Sequence, residues 1–405
     1  MWIIQLAWKN LWRNSSRTLI TIAAILFATI ISIVAESLKA GVFDNLVKNI
    51  VSSYSGHIQI HLKGYQDEQV LENGFYPNKA IETSIKNKAG IKNITDRLES
   101  FLLISSGEET KGCMVLGINP VQEDSISSLK KKMIQGSYLS AEDKGVLLAE
   151  GLAKKLNLSV NDTIILIGQG YHGASAAAKT TIKGIIRLGS PKLNDRIVYM
   201  LLKEAQSFFS ADGLATAYIL LLHEGEDPEA VAASIRKTIG EKYEVLTWGE
   251  MMPEIKQHIT TDSNNMRIVQ IILYILVSFG IFSTLLIMMA ERKSENGMLI
   301  ALGMSTFRLQ LLITTESLLT VMIGSIAGMM LSTPIVWYLK YNPISIKGET
   351  AEAYKRFGFE PIFPASYESG IFLSQGLIVF IIGIILSMYP LFTIMRMNAL
   401  NAMKK

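Results

Sequence analysis

Four stretches of this chain are apolar and uncharged for long enough to cross a bilayer, and the polar segments are arranged between them. They are residues 18–35, 268–290, 317–339 and 370–395. A spanning helix needs about 20 such residues. Ahead of the first run, Lys9, Arg13 and Arg17 recur at helical spacing, with Trp2, Trp8, Trp12, Ile3, Ile4, Leu6 and Leu11 around them. That mixture predicts a helix lying in the membrane interface and then entering the bilayer. The run after it is longer than the apolar core of a secretory leader, about 7–15 residues, so it is expected to be an uncleaved first span.

Residues 41–266 contain no further run of that length and are expected to form one large domain. Its pattern mixes periods. An amphipathic helix is predicted over 38–51 and a strand over 56–62. Ile81, Ile85 and Ala89 predict a helix over 79–92. Strands are expected at 145–149, 164–167, 180–187, 197–200 and 218–222, with helices at 150–156, 203–209 and 228–239. This order is α+β and shows no regular βαβ repeat. The predicted class is therefore a membrane protein with four transmembrane helices and a large α+β domain inserted between the first two. The divisions are 1–40 (interfacial helix and first span), 41–266, and 267–405. The last comprises a second span (268–290), a polar segment (291–308), a third span (317–339), a loop (340–369) holding Pro343, Pro361 and Pro364, a fourth span (370–395) and a basic tail.

The polar segment is the most informative stretch. It opens with charged residues, Glu291-Arg292-Lys293 and then Glu295, so the chain leaves the lipid sharply. Met298, Leu299, Ala301 and Leu302 follow at helical spacing, with Gly303 as a C-terminal stop. A short amphipathic helix tethered between two spans suits docking onto a soluble partner; on spacing alone an ordinary polar turn is an equal reading.

Glu291, Arg292, Glu295, Gly297, Leu299, Ala301, Leu302 and Gly303 fall on the pattern E-R-x-x-E-x-G-x-L-x-A-L-G. That pattern resembles the coupling segment of FtsX-like ABC transporter permeases, a superfamily that includes the lipoprotein-releasing Lol-type and the macrolide-exporter permeases. Asn296 departs from it, standing where those proteins carry a β-branched aliphatic residue, and residues 305–307 are less basic than usual. Residues 152–162 (L-A-x-K-L-x-L-x-V-x-D), the stretch from Thr181 to Ala205-Gln206, and the run from Pro390 to Met403 resemble the same family. The resemblance implies that the segment sits in a groove of a separate cytoplasmic ABC ATPase dimer, which binds the ATP and Mg; this chain would hold no cofactor. It also implies a second permease, identical or related, a bacterial inner-membrane location, cytoplasmic termini and an extracytoplasmic 41–266 domain. Basic residues agree on orientation. Lys9, Arg13 and Arg17, then Arg292, Lys293 and Arg308, then Arg396, Lys404 and Lys405 lie in short segments on one side; Lys340, Lys347, Lys355 and Arg356 lie in a longer one.

Composition sharpens this picture. Hydrophobic residues make up 49% of the 405, which favours a membrane protein. The net charge of +4 carries no dense basic block that would read as a nucleic-acid surface. The one cysteine, Cys113, excludes an intrachain disulfide. No Walker A pattern, nucleophile elbow or HExxH occurs, so the chain is not read as an enzyme. Gly168-Gln169-Gly170-Tyr171-His172-Gly173 is formally G-x-G-x-x-G, but β-rich sequence follows where a phosphate cradle needs a helix, and a glycine loop between strands is expected. His57, Gln59 and His61 alternate on a strand; the histidines lie too far apart for one metal, and a solvent-facing strand edge is expected. Gly324 and Gly328 form a G-x-x-x-G expected to pack helices within the bundle. Pro334 is a candidate kink, and Glu316 and Glu36 are placed at opposite interfaces.

With no row of polar residues along the spans, mechanical transmission fits better than an aqueous path. The size and span count resemble the lipoprotein-releasing permeases, which implies extraction of lipoproteins and their delivery to a periplasmic carrier. Ile25, Leu26, Phe27, Leu273, Ile275, Phe279 and Phe282 are the candidate apolar lining. Two alternatives keep the fold: an efflux permease for peptides or drugs working with an adaptor, and a signalling permease controlling a cell-wall hydrolase.

Overall fold

The computed structural model describes residues 2–13, 15–107, 109–356 and 361–395. The expected tail signature beyond Met395, with Arg396, Lys404 and Lys405, lies outside the described residues, as does the side chain of Arg17. The chain divides into two compact units. One comprises residues 1–44, 259–345 and 362–405; the other comprises 45–258 and 346–361.

The membrane unit begins with the helix Trp2–Arg13. Ala7 and Leu11 are buried on one side of it, while Trp2, Ile4, Trp8 and Trp12 face outward. Four helices are long and apolar enough to cross a membrane among the described residues: Ser15–Ile50, Pro253–Glu291, Thr306–Tyr341 and Ser369–Met395. The first and second outrun their apolar stretches. The amphipathic helix expected at 38–51 is continuous with the first span, because no breaker separates them. Pro334 lies inside the third helix, which runs on to Tyr341.

The other unit is built on ten strands: β1 (Ile58–Leu62), β2 (Ile91–Ser105), β3 (Thr110–Ile118), β4 (Met133–Gly136), β5 (Val146–Ala149), β6 (Thr163–Gln169), β7 (Ser175–Ile186), β8 (Ile197–Leu201), β9 (Ala217–Leu222) and β10 (Tyr243–Thr247). Their order is β10-β1-β9-β2-β3-β8-β5-β7-β4, and β6 joins β2 to β7. The strands β2, β3, β8, β5, β7 and β6 therefore close into a ring. Most of its strands alternate, although β7 shifts register opposite β5 and sends both Ile182 and Ile185 into one core. Val115, Val146, Leu148, Val198 and Met200 enter one core, while Met114, Leu116, Leu147, Ile197 and Tyr199 enter another. Strands buried on both faces read as continuous apolar runs, which is why β5 and β8 stand out in the sequence.

A third core covers β1, β9 and β10 with the helices Lys79–Lys86 and Pro228–Ile239, through Ile85, Val231, Ala232 and Ile235. Asn78 and Asp227 cap these two helices with side-chain acceptors, a contribution of about 1 kcal/mol each. Asn119 does the same for the helix Pro120–Ser127.

That helix carries Glu123, which is fully buried and takes two hydrogen bonds from Arg97 on β2, at 2.8 and 2.6 Å. Arg97 also donates to the Tyr54 carbonyl at 2.6 Å and faces Glu99, whose carboxylate accepts from the Tyr54 hydroxyl at 2.7 Å. Burial alone would lower the Arg97 guanidinium, but Glu123 and then Glu99 more than offset it and hold the group charged, above its usual range. The π-helical turn Val51–Ser55 is thus fixed to β2 by buried charge.

Candidate functional site

The second-span helix ends at Glu291, and Arg292 breaks from helical geometry before the helix Lys293–Ala301 begins. This helix closes at Leu302. Gly303 has φ +97°, a left-handed conformation that favours glycine. The Gly303 N–H donates to the Ile300 carbonyl and the Met304 N–H to the Leu299 carbonyl, both at 3.0 Å. This is the Schellman pattern, and Met304 and Leu299 meet in the apolar cluster that accompanies it. The polar segment is therefore a helix with a defined stop, and the turn reading is set aside.

Its faces differ. Asn296 and Gly297 are buried; Leu299 and Ile300 are half-buried against Met289, Leu309, Ile313 and Ile394. Glu291, Glu295, Met298, Ala301 and Leu302 face outward, and Phe307 joins them from the start of the third-span helix. Leu302 is 78% exposed and Phe307 71%. The eight motif residues thus serve different ends: Gly297 and Leu299 seat the helix, Gly303 ends it, and Glu291, Glu295, Ala301 and Leu302 present a surface.

Arg292 is turned inward onto Glu316 of the third-span helix, in a close ion pair. Glu316 is 1% exposed, and its second oxygen accepts from Asn10 Nδ2 at 2.7 Å. Glu316 is the joint between three elements: the helix Trp2–Arg13, the start of the helix Lys293–Ala301 and the third span. Arg13 adds an exposed pair to Glu295 at 2.5 Å. Sequence reasoning missed Asn10, and the signal was a lone carboxylate in an uncharged helix, which demands donors. Between these elements lies a cleft of about 400 Å³. A second, of about 320 Å³, lies between Thr21, Ile287 and Met288.

Elsewhere in the membrane unit, Gly324 and Gly328 face the first span. A Cβ on Gly324 would stand 2.8 Å from Ile25 Cβ, and one on Gly328 2.6 Å from Thr29 Cβ. The small residues let the two helices approach within the chain. Ile25 is consequently buried in the bundle core with Ile281, Leu285, Val321 and Val379. Leu26, Leu273 and Phe282 are half-buried, and Phe27, Ile275 and Phe279 are exposed, so the seven candidate lining residues do not form one wall. The spans do hold one polar cluster. Gln375 Oε1 accepts from Ser32 at 2.6 Å, from Tyr274 at 2.5 Å and from Gln270 at 3.2 Å. It is a compact, mutually satisfied node, not a row.

In the other unit, the G-x-G-x-x-G stretch turns between the antiparallel β6 and β7. No helix follows, so its N–H groups form no phosphate cradle. The expectation for His57–His61 needs correction. β1 is not an edge, being paired with β10 on one side and β9 on the other. Gln59 and His61 are buried; His61 bonds the Thr216 carbonyl at 2.7 Å and Gln59 at 2.9 Å, and stacks on Tyr65. Burial lowers the His61 pKa from its ordinary value despite nearby Glu99. Alternation alone could not show that a polar face would be covered. Among the described residues no three His, Cys, Asp or Glu side chains are grouped to hold a metal ion.

Residues 18–238, more than half of the chain, match the model of the MacB-like periplasmic core domain, and residues 267–399 match that of the FtsX-like permease C-terminal domain. The chain belongs to this family of ABC-transporter permeases, and four long apolar helices with a periplasmic core domain fit a multi-pass inner-membrane protein. Among its relatives, the lipoprotein-releasing system transmembrane protein LolC of Xylella fastidiosa is 22% identical over 250 residues, 60% of each chain. LolC of Neisseria meningitidis is 19% identical over 328 residues, covering 79% of this chain and 77% of its own. The match thus spans about 60% of the length of the Xylella relatives. The periplasmic region of MacB from Actinobacillus actinomycetemcomitans aligns with 50% of this chain and 92% of its own at 14% identity, with a TM-score of 0.34.

Proposed function

We propose that this chain is the transmitting membrane subunit of an ABC machine whose ATP and Mg are held by a separate cytoplasmic ATPase dimer, and that its cargo is lipoprotein. The observation that carries the reading is the coupling helix itself: capped, seated on the bundle by Asn296, Gly297 and Leu299, and presenting Met298, Leu302 and Phe307 outward. Three large apolar side chains left exposed on this short segment and the turn after it favour a covered surface over one that only faces water. Because Arg292 is paired with Glu316, a displacement of this helix moves the third span and the helix Trp2–Arg13 with it.

In this reading the chain's ends and the 291–308 segment are cytoplasmic, residues 41–266 work outside, and a second permease completes the membrane unit. The lipoprotein cargo rests on the likeness to the LolC relatives of the lipoprotein-releasing system. Physical chemistry supplies the need for ATP: burying lipid chains contributes about 0.8 kcal/mol per CH₂, so three chains hold a lipoprotein by tens of kcal/mol. Phe27, Ile275 and Phe279, exposed on the first two spans, are the residues proposed to shelter those chains.

The test is purification from native membranes in mild detergent with mass spectrometry of what accompanies the chain. An ATPase subunit with triacylated lipoproteins supports the proposal. An ATPase with a periplasmic adaptor or a cell-wall hydrolase, and no lipoprotein, refutes the cargo. A preparation in which Leu302→Asp retains the ATPase as well as wild type refutes the docking surface.

A further inference from the structure

The cleft beside the coupling helix holds a polar group that nothing in the protein satisfies. Asn296 is 4% exposed and is one of the residues lining the cleft, and its buried Nδ2 has no hydrogen-bond partner. A buried donor left unpaired is costly. The cost is needless at this position, since an aliphatic side chain would fill the same space. The remaining polar lining is Arg13, Glu295, Arg292, Glu316 and Asn10, two cations and two carboxylates. The floor is apolar, with Leu6, Met304 and Ile313. At about 400 Å³ the cleft falls within the ordinary range of small-ligand sites, roughly 300–1,000 Å³.

Its surroundings narrow the occupant. The helix Trp2–Arg13 forms one wall and turns Trp2, Trp8 and Trp12 away from the bundle. Such an aromatic row is characteristic of headgroup depth. Asn296 is buried, whereas Leu302 is exposed and is not part of the cleft wall; Met298, also exposed, stands at the cleft's edge. An apolar floor beneath a polar mouth at that depth fits an amphiphile of the membrane. The charges select among amphiphiles. Arg292 is committed to the buried Glu316, but Arg13 and Glu295 meet in an exposed pair, 61% and 46% accessible. An exposed pair contributes little and exchanges readily.

We propose that the cleft binds a phosphoethanolamine headgroup of a membrane phospholipid, its phosphate taking hydrogen bonds from Asn296 Nδ2 and Arg13 and its ammonium donating to Glu295. A phosphoglycerol headgroup brings the anion but leaves Glu295 without a cation. A phosphocholine headgroup brings a cation with no N–H to donate. The bound lipid would complete the seat of the coupling helix, so the headgroup composition of the membrane sets how firmly that helix is held. This inference stands on the cleft and is independent of the cargo and of the ATPase.

The test uses the full chain, delipidated in detergent and reconstituted into nanodiscs of phosphatidylethanolamine with phosphatidylglycerol, or of phosphatidylcholine with phosphatidylglycerol. Native mass spectrometry then counts the lipid retained after release. The expected result is a single phosphatidylethanolamine held by wild type and no retained phosphatidylcholine. Asn296→Val and Asn296→Asp should each weaken retention on the order of tenfold, the effect of one hydrogen bond to a charged acceptor. Asn296→Val restores an aliphatic side chain and should leave the melting temperature in a fixed detergent unchanged, which separates loss of the lipid from loss of the fold. Glu295→Gln should bring phosphatidylethanolamine down to the phosphatidylcholine level. Equal retention of all three lipids, or full retention by Asn296→Val, overturns the proposal. So does stoichiometric displacement of the lipid by an added ATPase subunit, which would give the cleft to a protein occupant.

Discussion

Glu316→Ala removes the joint between three elements at once, and the structure sets the scale of the effect. The carboxylate is 1% exposed and Arg292 is 13% exposed, so the pair lies where water screens little. Removing one partner of such a pair costs about 3–5 kcal/mol, chiefly because the other charge stays buried and uncompensated. Asn10 loses its acceptor in the same step; a hydrogen bond to a charged group is worth roughly 1.5–3 kcal/mol. The two losses share one carboxylate and do not add, so the expected cost remains within 3–5 kcal/mol.

The assay is unfolding of the full chain in a fixed detergent, run as a double-mutant cycle. Glu316→Ala and Arg292→Ala should each destabilise strongly. Arg292→Met with Glu316→Leu should recover most of the loss, because an apolar pair of similar volume replaces a buried ion pair at little cost. Asn10→Ala should fall well below either single charge removal. If Glu316→Ala costs under about 1 kcal/mol, or the apolar double variant is as unstable as the single ones, the pair is effectively solvated and the reasoning fails.

Gly328→Leu places a side chain where even a Cβ stands 2.6 Å from Thr29 and 3.0 Å from the Leu26 carbonyl. It should destabilise the bundle by at least the 1–3 kcal/mol of ordinary overpacking, measured by unfolding in detergent, whereas Gly280→Leu, which meets open space, should not. Burial pushes the Cys113 thiol up to about 12, so maleimide at pH 8 should label it only when denaturant opens the strand ring; rapid labelling of the native chain would contradict its position. A hydrogen bond from Arg187 holds Glu150 down to about 2 against partial burial, and one from Lys183 does the same for Asp143. With depressed native pKa values, their stabilisation is complete above the ordinary carboxylate range near 4 and drains as pH falls toward about 2; Arg187→Met should flatten that acid limb in unfolding measured at pH 6 and pH 2.5.

What the sequence revealed follows from whether a residue's surroundings are local. The spans, the strands β5 and β8, and the helix Pro228–Ile239 with its Asp227 cap are each set by neighbours in the chain; β5, β8, that helix and the fourth span fall within a residue or two of expectation, whereas the first three span helices run on beyond their apolar stretches. The long strand β2 was missed because Asp96, Arg97 and Glu99 interrupt its apolar pattern, and Glu123, the partner of Arg97, lies 26 residues beyond it. No window on the sequence can tell a buried, paired arginine from a surface one. The same limit hid the cover over Gln59 and His61. At the coupling helix the motif residues were legible as a group, but not their division into seat and surface, which depends on where the third span and the helix Trp2–Arg13 pack. Asn296 was visible as a departure from the family pattern; that it is buried and unpaired required coordinates.

The second-span helix is held very differently along its length, and this bears on how motion would travel. Its buried residues, Ile281, Leu285 and Met289, all lie in the half adjoining the coupling segment. The other half exposes Ile268, Ile271, Ile272, Ile275 and Leu276, and its polar contacts include Gln270 and Tyr274 in the node with Ser32 and Gln375 and, near the helix start, the Lys256–Glu229 ion pair. In a bilayer, apolar contact between helices gains little over contact with lipid, and interhelical hydrogen bonds average about 0.6 kcal/mol each. The half near residue 291 is therefore held by close packing, while within the apolar stretch of the far half the node supplies interhelical hydrogen bonds worth about 1–3 kcal/mol together. A continuous helix of 39 residues, roughly 58 Å long, transmits a tilt imposed at its packed end with little bending. In the proposed transmission the node is an attachment that would release and re-form as the helix tilts, while the packed end keeps its register with the helix Lys293–Ala301.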